Sequence, residues 1–325
     1  MFKIWLDVPL IAEALALLEG QAEIIGPQAR PNPEDPLSEL AGADGAIVSS
    51  LFPGVGETFD RAKNLKVVAR VGIGYDNIEV QAATARGICV VNTPDAPTES
   101  TAEFAVTLML ATARRLKAAD KHLSRGRWGR TPALMGFDLA GRTLGLVGLG
   151  RIGSRVAEIA RALRMRVLAF DPYVSPERAA ALGLELAPDL STVLQAADVL
   201  SLHTPLNDQT RGLIGARELA QLKRGSILIN ASRGPVVVES ALLDALRSGH
   251  LSGAGLDVWD PEPPHPDNPL LQLDNVVVAP HIAGFTEEGR LRSNPEAVKQ
   301  ALLALRGERP TSLVNPEVWE RRRGS

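Results

Sequence analysis

Short apolar runs rich in Val, Ile and Leu alternate with amphipathic stretches from the first residues to near the end of the chain. Strand-like runs separated by helical patterns predict a parallel α/β architecture. In the first part, strands are expected at 2–6, 22–25, 45–48, 66–70 and 88–91, with helices at 10–18, 37–40, 55–61 and 78–86. A longer helical pattern covers 99–123, with Phe104, Leu108 and Leu116 along it, and its length suggests an element crossing between domains. Residues 125–141 hold Gly, Arg, Trp128 and Pro132 without a clear period and read as loop. A second wound unit follows, with strands at 143–147, 166–170, 199–202, 226–230, 253–256 and 275–279 and helices between most of them. The last helical stretch, 287–305, has no strand partners of its own and is expected to pack back on the first unit.

The length of 325 residues suggests two domains, at a prior of about 150 residues each. With 45% apolar and 22% charged residues the chain is ordinary globular material, which excludes disorder, collagen and a disulfide-stapled scaffold. Lys and Arg total 35 against 38 Asp and Glu, for a net charge of -3, too balanced for a dedicated nucleic-acid surface. The basic run at 321–323 stands alone. The single cysteine, Cys89, permits no internal disulfide, points to a reducing compartment and lies in an apolar run that suits core packing. Asp7 and Glu13 interrupt the apolar N-terminus, so no export signal is read there. No apolar run approaches the ~20 residues of a membrane helix. A cytoplasmic protein with neither membrane nor nucleic acid as partner is therefore expected, and tandem repeats are absent from the sequence.

The strongest local motif is Gly148-Leu149-Gly150-Arg151-Ile152-Gly153, between the strand at 143–147 and a helix at 154–163. In that setting Gly148 permits the tight turn, Gly150 admits a pyrophosphate close to the backbone, and Gly153 lets helix and strand pack closely. The helix start at Arg151 and Ile152 offers free N–H groups to the phosphates. Asp171 ends the next strand, where an acid accepts hydrogen bonds from adenosine ribose hydroxyls. Its charge repels a ribose 2′-phosphate and no Arg follows within 172–175, which favours NAD over NADP. The plainer alternative is an Asp capping the turn before Pro172.

Among the histidines, His122 and His250 read as solvated helix ends, and His265 sits in a Pro-rich loop without an evident partner. His203 and His281 instead follow predicted strands, and ligands of open α/β sheets bind at the carboxyl ends of strands. Arg233 and Gly234 follow another strand, and Asp257 a fourth, with Glu262 shortly after. An Arg, two acids and two His along one sheet edge point to a reactive site rather than to packing.

Several stretches together resemble the NAD-dependent D-2-hydroxyacid dehydrogenases: His203-Thr204-Pro205-Leu206-Asn207, Ile229-Asn230-Ala231-Ser232-Arg233-Gly234, Gly255-Leu256-Asp257-Val258, Asp260-Pro261-Glu262-Pro263 and Ala279-Pro280-His281-Ile282-Ala283-Gly284. The similarity runs from about Leu65 to Val314, nearest to the branch of D-3-phosphoglycerate dehydrogenase and the hydroxypyruvate or glyoxylate reductases. It implies two doubly wound parallel-sheet domains, a Rossmann NAD-binding domain at 99–285 inserted into a flavodoxin-like substrate domain at 1–98 and 286–325. It implies reversible hydride transfer between NAD(H) and the 2-position of a D-2-hydroxy acid. His281 is then the general acid/base, paired with Glu262, while Arg233 binds the substrate carboxylate and polarises the carbonyl. The chemistry suits these types: His titrates nearest neutrality and Arg presents a planar fork to a carboxylate.

Carried over likewise, Val71 and Gly72 give backbone N–H groups to the substrate carboxylate, with Ser50 nearby. Asp257 and the carbonyl of Ala231 hold the nicotinamide carboxamide, and Thr101, His203, Thr204, Pro205 and Gly284 line the cofactor. A metal is not expected. A homodimer is, formed through the helix at 99–123 and the loop at 125–141; Trp128 either anchors that interface or packs within its own chain. There are two departures from the phosphoglycerate branch. The stretch Val48-Ser49-Ser50-Leu51-Phe52 lacks the Arg that meets a substrate phosphate, and the chain ends at Ser325 without the serine-sensing regulatory domain. The alternatives that stay open are an NAD-sensing corepressor on the same scaffold and a phosphite or formate dehydrogenase.

Overall fold

A computed structural model describes residues 1–32 and 34–324. The chain divides into two compact units, one formed by Met1–Pro97 with the segment from Phe285 onward, the other by Thr98–Gly284. The first unit begins β1 (Phe2–Leu6), α1 (Ala12–Ala16), β2 (Ala22–Ile25), β3 (Gly45–Val48), α2 (Gly56–Arg61), β4 (Val67–Arg70), α3 (Val80–Ala85) and β5 (Cys89–Val91). Its strands form a parallel sheet in the order β2-β1-β3-β4-β5, the flavodoxin-like winding that reverses between β1 and β3. The strands read as unbroken apolar runs because both faces are covered. Val67 and Ala69 enter one core layer with Ile4 and Leu6, whereas Val68 enters the other with Trp5, Phe52 and Phe59. Cys89 is 1% exposed within this core, and burial pushes its thiol up to about 11, so it packs and does not react.

The helix expected at 37–40 is a series of turns ending in a tight turn at Leu40–Gly42. A run this short cannot offset the cost of nucleating a helix, and Glu39 takes a left-handed conformation, φ 64°.

The second unit holds α4 (Thr98–Ala113), α5 (Leu116–Ser124), β6 (Thr143–Val147), α6 (Arg151–Ala162), β7 (Arg166–Phe170), α7 (Pro176–Ala181), β8 (Glu185–Leu186) and α8 (Leu190–Ala196). It continues through β9 (Val199–Leu202), α9 (Ala216–Leu219), β10 (Ile227–Asn230), α10 (Glu239–Arg247), β11 (Gly253–Leu256), α11 (Pro269–Gln272) and β12 (Val276–Val278). The seven-stranded parallel sheet runs β12-β11-β10-β9-β6-β7-β8 and changes direction between β6 and β9. This is the Rossmann order with a further strand at its edge. Strand β8 escapes sequence reading because two residues, one of them exposed, carry no period.

The single helix expected over 99–123 is two. The carbonyl of Ala113 accepts the Phe137 amide at 3.0 Å, and Arg115 turns left-handed at φ 55° between α4 and α5. Both helices belong to the second unit, so neither crosses between units. After β12 the chain returns to the first unit as α12 (Glu287–Leu305), whose Ala297, Val298, Ala301 and Leu302 join the core layer of β1 and β4. That answers the missing strand partners of this helix. Among the described residues no helix is long and apolar enough to cross a membrane.

Candidate active site

In the second unit the strand register itself assembles the site. Phe170 pairs with Val147, Val147 with Leu202, Leu202 with Asn230, Asn230 with Leu256, and Leu256 with Val278. The residues that follow these ends therefore stand in one row along the carboxyl edge: Asp171, Gly148, His203, Ala231, Asp257 and Ala279.

At the switch point, Gly148 takes φ 93°, and a Cβ there would sit 2.6 Å from the carbonyl oxygen of His203. A Cβ on Gly153 would lie 2.1 Å from the carbonyl of Gly148, so the helix packs on the turn at a distance only glycine allows. Gly150 faces open space and starts α6 without a side-chain cap, which leaves the amides of Arg151, Ile152 and Gly153 directed out of the helix end. Asp171 clasps this turn: Oδ2 accepts the Leu149 amide at 2.8 Å and Oδ1 the Tyr173 amide at 2.9 Å. It thus caps its own turn and also faces the fingerprint. Each oxygen keeps a further lone pair for a ribose hydroxyl. Thr101 is buried in the first turn of α4, which an Arg155–Glu99 ion pair ties to α6.

His203 turns back into the sheet. Its Nε2 lies 2.8 Å from Oγ of the fully buried Ser201, and withdrawal of the ring from water pushes its pKa down to about 4. It is neutral near pH 7. The next residue, Thr204, has a buried Oγ1 with no partner among the described residues, an acceptor and donor left for a bound molecule; Pro205 continues that turn. Cradle, open helix end, clasping acid and orphaned hydroxyl together fit a dinucleotide.

The reactive pair lies toward the other end of the row. Nδ1 of His281 is 2.7 Å from Oε2 of Glu262, and the two side chains are 29% and 26% exposed. A carboxylate only accepts, so Nδ1 carries the proton and Nε2, without a partner among the described residues, is left to exchange one. Burial alone would raise the Glu262 carboxyl, but the hydrogen bond and charge of His281, the Trp259 amide and Arg233 outweigh it and hold it below its usual range. His281 adopts φ 56°, a left-handed strain held from below. The holder is Asp257, fully buried, whose oxygens accept the amides of Ile282 at 2.8 Å and Ala283 at 2.9 Å, and whose carbonyl accepts that of His281 at 2.8 Å. Burial raises the Asp257 carboxyl above its ordinary value, and the two amides oppose that. The resemblance gave Asp257 to the carboxamide; here its carboxylate is engaged with the main chain that aims His281. Gly284 closes the same turn.

Arg233 is drawn to this pair by its neighbour. A Cβ on Gly234 would fall 1.9 Å from the carbonyl oxygen of Trp259, so two backbones touch where only glycine fits. The loop is braced by Asn230, whose Nδ2 donates to the Arg233 carbonyl at 2.9 Å and whose Oδ1 accepts the Ser232 amide at 3.0 Å. Ala231 is nearly buried beside it.

In the first unit the two expected substrate amides have partners of their own. The Val71 amide donates to the Val48 carbonyl at 3.0 Å, prolonging the β3–β4 ladder, and the Gly72 amide donates to Thr93 Oγ1 at 2.8 Å. Both amides are thus paired within this unit. The first amides of that loop without a partner among the described residues are those of Ile73 and Gly74. Ser50 lies in the turn after β3, which Asn77 Nδ2 pins through the carbonyls of Ser49 (3.4 Å) and Phe52 (2.9 Å). The remaining histidines also shift: His250 is half-buried with Nε2 donating to the Leu219 carbonyl at 3.0 Å, and His265 accepts the Asp267 amide at 3.3 Å. Sequence reading missed Ser201 and the Gly234–Trp259 contact; the Gly-Pro pair after Arg233 was the available signal for the latter. Among the described residues no group of three His, Cys, Asp or Glu side chains is placed to hold a metal.

The model of the D-isomer specific 2-hydroxyacid dehydrogenase NAD binding domain matches residues 106–283. A D-3-phosphoglycerate dehydrogenase of Archaeoglobus fulgidus is 43% identical over 289 residues, 89% of this chain but 54% of its own length. This chain thus spans about half the length of that relative. A glyoxylate reductase of Korarchaeum cryptofilum is 46% identical over 278 residues, covering 84% of this chain and 83% of that protein. Among solved structures, the TT0316 protein from Thermus thermophilus matches with a TM-score of 0.87 and 40% identity over 96% of this chain and 99% of the other.

Proposed function

Because the chain belongs to the D-isomer specific 2-hydroxyacid dehydrogenase family, we propose that it interconverts a small D-2-hydroxy acid and its 2-oxo acid with NAD(H). The observation that carries this is the 2.7 Å Glu262–His281 pair, with Nε2 uncommitted, on the same sheet edge as the fingerprint turn.

Residues Gly148, Gly150, Gly153 and Asp171 with the open end of α6 hold the dinucleotide. Bound there, NAD(H) supplies or accepts the hydride. Arg233 anchors the acid's carboxylate and draws electron density toward the reacting oxygen. In reduction Nε2 of His281 donates a proton to that oxygen, while Glu262 accepts from Nδ1 and holds the ring in place; in oxidation Nε2 takes the proton back. His203, neutral and bonded to Ser201, is not the proton donor. The unit of residues 1–98 and 286–325 is the substrate domain, with Ser50, Val71 and Gly72 as its substrate-binding residues.

The stretch 48–52 carries no cation, which favours glyoxylate or hydroxypyruvate over a phosphorylated 2-oxo acid. The protein acts as a homodimer: Trp128 is 91% exposed and Met135 75%, which leaves Trp128 for a partner rather than for its own chain. The test is NADH oxidation with glyoxylate, hydroxypyruvate, pyruvate, branched 2-oxo acids and 3-phosphohydroxypyruvate, repeated with NADPH. Turnover of an unphosphorylated acid with NADH well above NADPH is expected, and Asp171→Ala should narrow the gap. NADH binding without turnover of any acid overturns the enzyme reading in favour of a corepressor-type binder.

A further inference from the structure

The loop that carries Glu262 is short of hydrogen-bond donors of its own. Pro261, Pro263, Pro264, Pro266 and Pro269 crowd it, and proline has no amide hydrogen to give. Ladder bonds therefore cannot fix this stretch, and its anchors come from elsewhere in the second unit. Near Glu262 the anchor is Trp259, whose amide donates to Glu262 Oε1 at 3.1 Å and whose indole Nε1 donates to the Ala279 carbonyl at 2.9 Å.

The two ends of the loop meet one carboxylate. Glu239 Oε1 accepts the Asp260 amide at 3.0 Å, and Oε2 accepts Nδ2 of Asn268 at 2.7 Å. The Asn268 side chain is held in that orientation because its Oδ1 accepts the Leu270 amide at 3.0 Å as the cap of α11. Glu239 opens α10, whose Leu242 and Leu246 are sunk in the core of the second unit. The dipole of α10 accounts for an acid in its first turn. It does not account for both oxygens of that acid being engaged by a loop 21 and 29 residues further along the chain.

We infer that Glu239 is a positioning residue for the reactive pair: by clasping residues 260 and 268 it sets the loop from which Glu262 reaches His281. The inference deepens the reaction proposed above and rests on it for its kinetic consequence. Glu239 acts through the loop and not on a reacting atom. Arg233 lies on the same segment, six residues earlier, so one stretch of chain supplies the guanidinium at its start and the clasp at its end.

Hydrogen-bond polarity gives the test. In Glu239→Gln one acceptor becomes a donor, so the side chain can serve Asp260 or Asn268 but not both. Asn268→Asp sets carboxylate against carboxylate. The double variant Glu239→Gln/Asn268→Asp reverses the bond and restores both contacts at unchanged net charge, and Asp caps a helix as well as Asn does.

The four proteins are compared by two readouts. The first needs no turnover: ring-nitrogen chemical shifts of isotope-labelled histidine at about pH 8, where an ordinary imidazole is neutral, report which nitrogen of His281 carries the proton. His281→Ala identifies the signals. Nδ1–H is expected in the parent, a shift toward the mixture of a free imidazole in each single variant, and Nδ1–H again in the double variant. The second readout is kcat, which should fall at least ~tenfold in the single variants while NADH affinity and unfolding temperature stay near the parent's. The double variant should return kcat to within ~threefold of the parent. A parent that turns over no acid sinks the reaction, and the tautomer of His281 then decides the clasp alone. A parental tautomer or parental kcat in the single variants, or a double variant no better than they are, overturns the inference.

Discussion

Two residues of the same type, His203 and His281, stand at one edge of the same sheet, after β9 and β12 with two strands between them, and their surroundings give them opposite chemistry. Glu262 takes the Nδ1 proton of His281 in a hydrogen bond and leaves Nε2 uncommitted, whereas burial keeps His203 neutral with its Nε2 held by Ser201. His281→Ala should lower turnover by ~two to four orders of magnitude, the contribution of a positioned acid/base, while NADH affinity by fluorescence titration stays near the parent's. Glu262→Gln should be milder, because the amide oxygen still accepts from Nδ1 and keeps the ring aimed while the charge beside it is lost. Parental turnover in that variant would sink the pairing. His203 gives a stability prediction with a definite sign. Its folded value of about 4 lies below the unfolded 6.5, so the unfolded chain binds the proton first. Its contribution is full above pH 6.5, declines as the pH falls, and levels off below about 4. Urea unfolding at pH 7 and pH 5 should therefore show a larger acid loss in the parent than in His203→Asn.

At the scale of elements, loops that sequence places apart are brought together by absent side chains. Gly234 lets the loop after β10 rest on the Trp259 carbonyl, which sets Arg233 beside Glu262. In Gly234→Ala the two backbones must part, and misplacement by about 1 Å costs on the order of a hundredfold in rate. A loss of kcat/KM of ~tenfold to a hundredfold is expected, with NADH binding retained because the fingerprint turn is untouched. Steady-state kinetics beside a binding titration separates the two; parental kinetics would mean that the contact positions nothing. The same reasoning explains the split of α4 from α5. Phe137 takes the Ala113 carbonyl, a long-range event that helical periodicity across 99–123 does not contain.

At the scale of the molecule, the exposed Trp128 and Met135 predict self-association, since large exposed apolar side chains grouped on one segment mark contact surfaces. Light scattering at micromolar concentration should give a dimer, and Trp128→Arg should shift it toward monomer with little loss of unfolding temperature. A parent that stays monomeric defeats the assignment.

The two wound parallel sheets were legible in local patterning, because strands covered on both faces and helices between them are patterns of neighbouring residues. The fingerprint was legible there too, since Gly148, Gly150 and Gly153 act within one turn, and the same patterning placed Arg233, Glu262 and His281 at strand ends. Which atoms remained uncommitted was set by long-range contacts of the fold. Val71 and Gly72 lose their amides to Val48 and Thr93, and Asp257 commits its carboxylate to Ile282 and Ala283. The physical reason is that a hydrogen bond consumes a donor or acceptor from a residue far along the chain, and no local pattern records which partner the fold will bring.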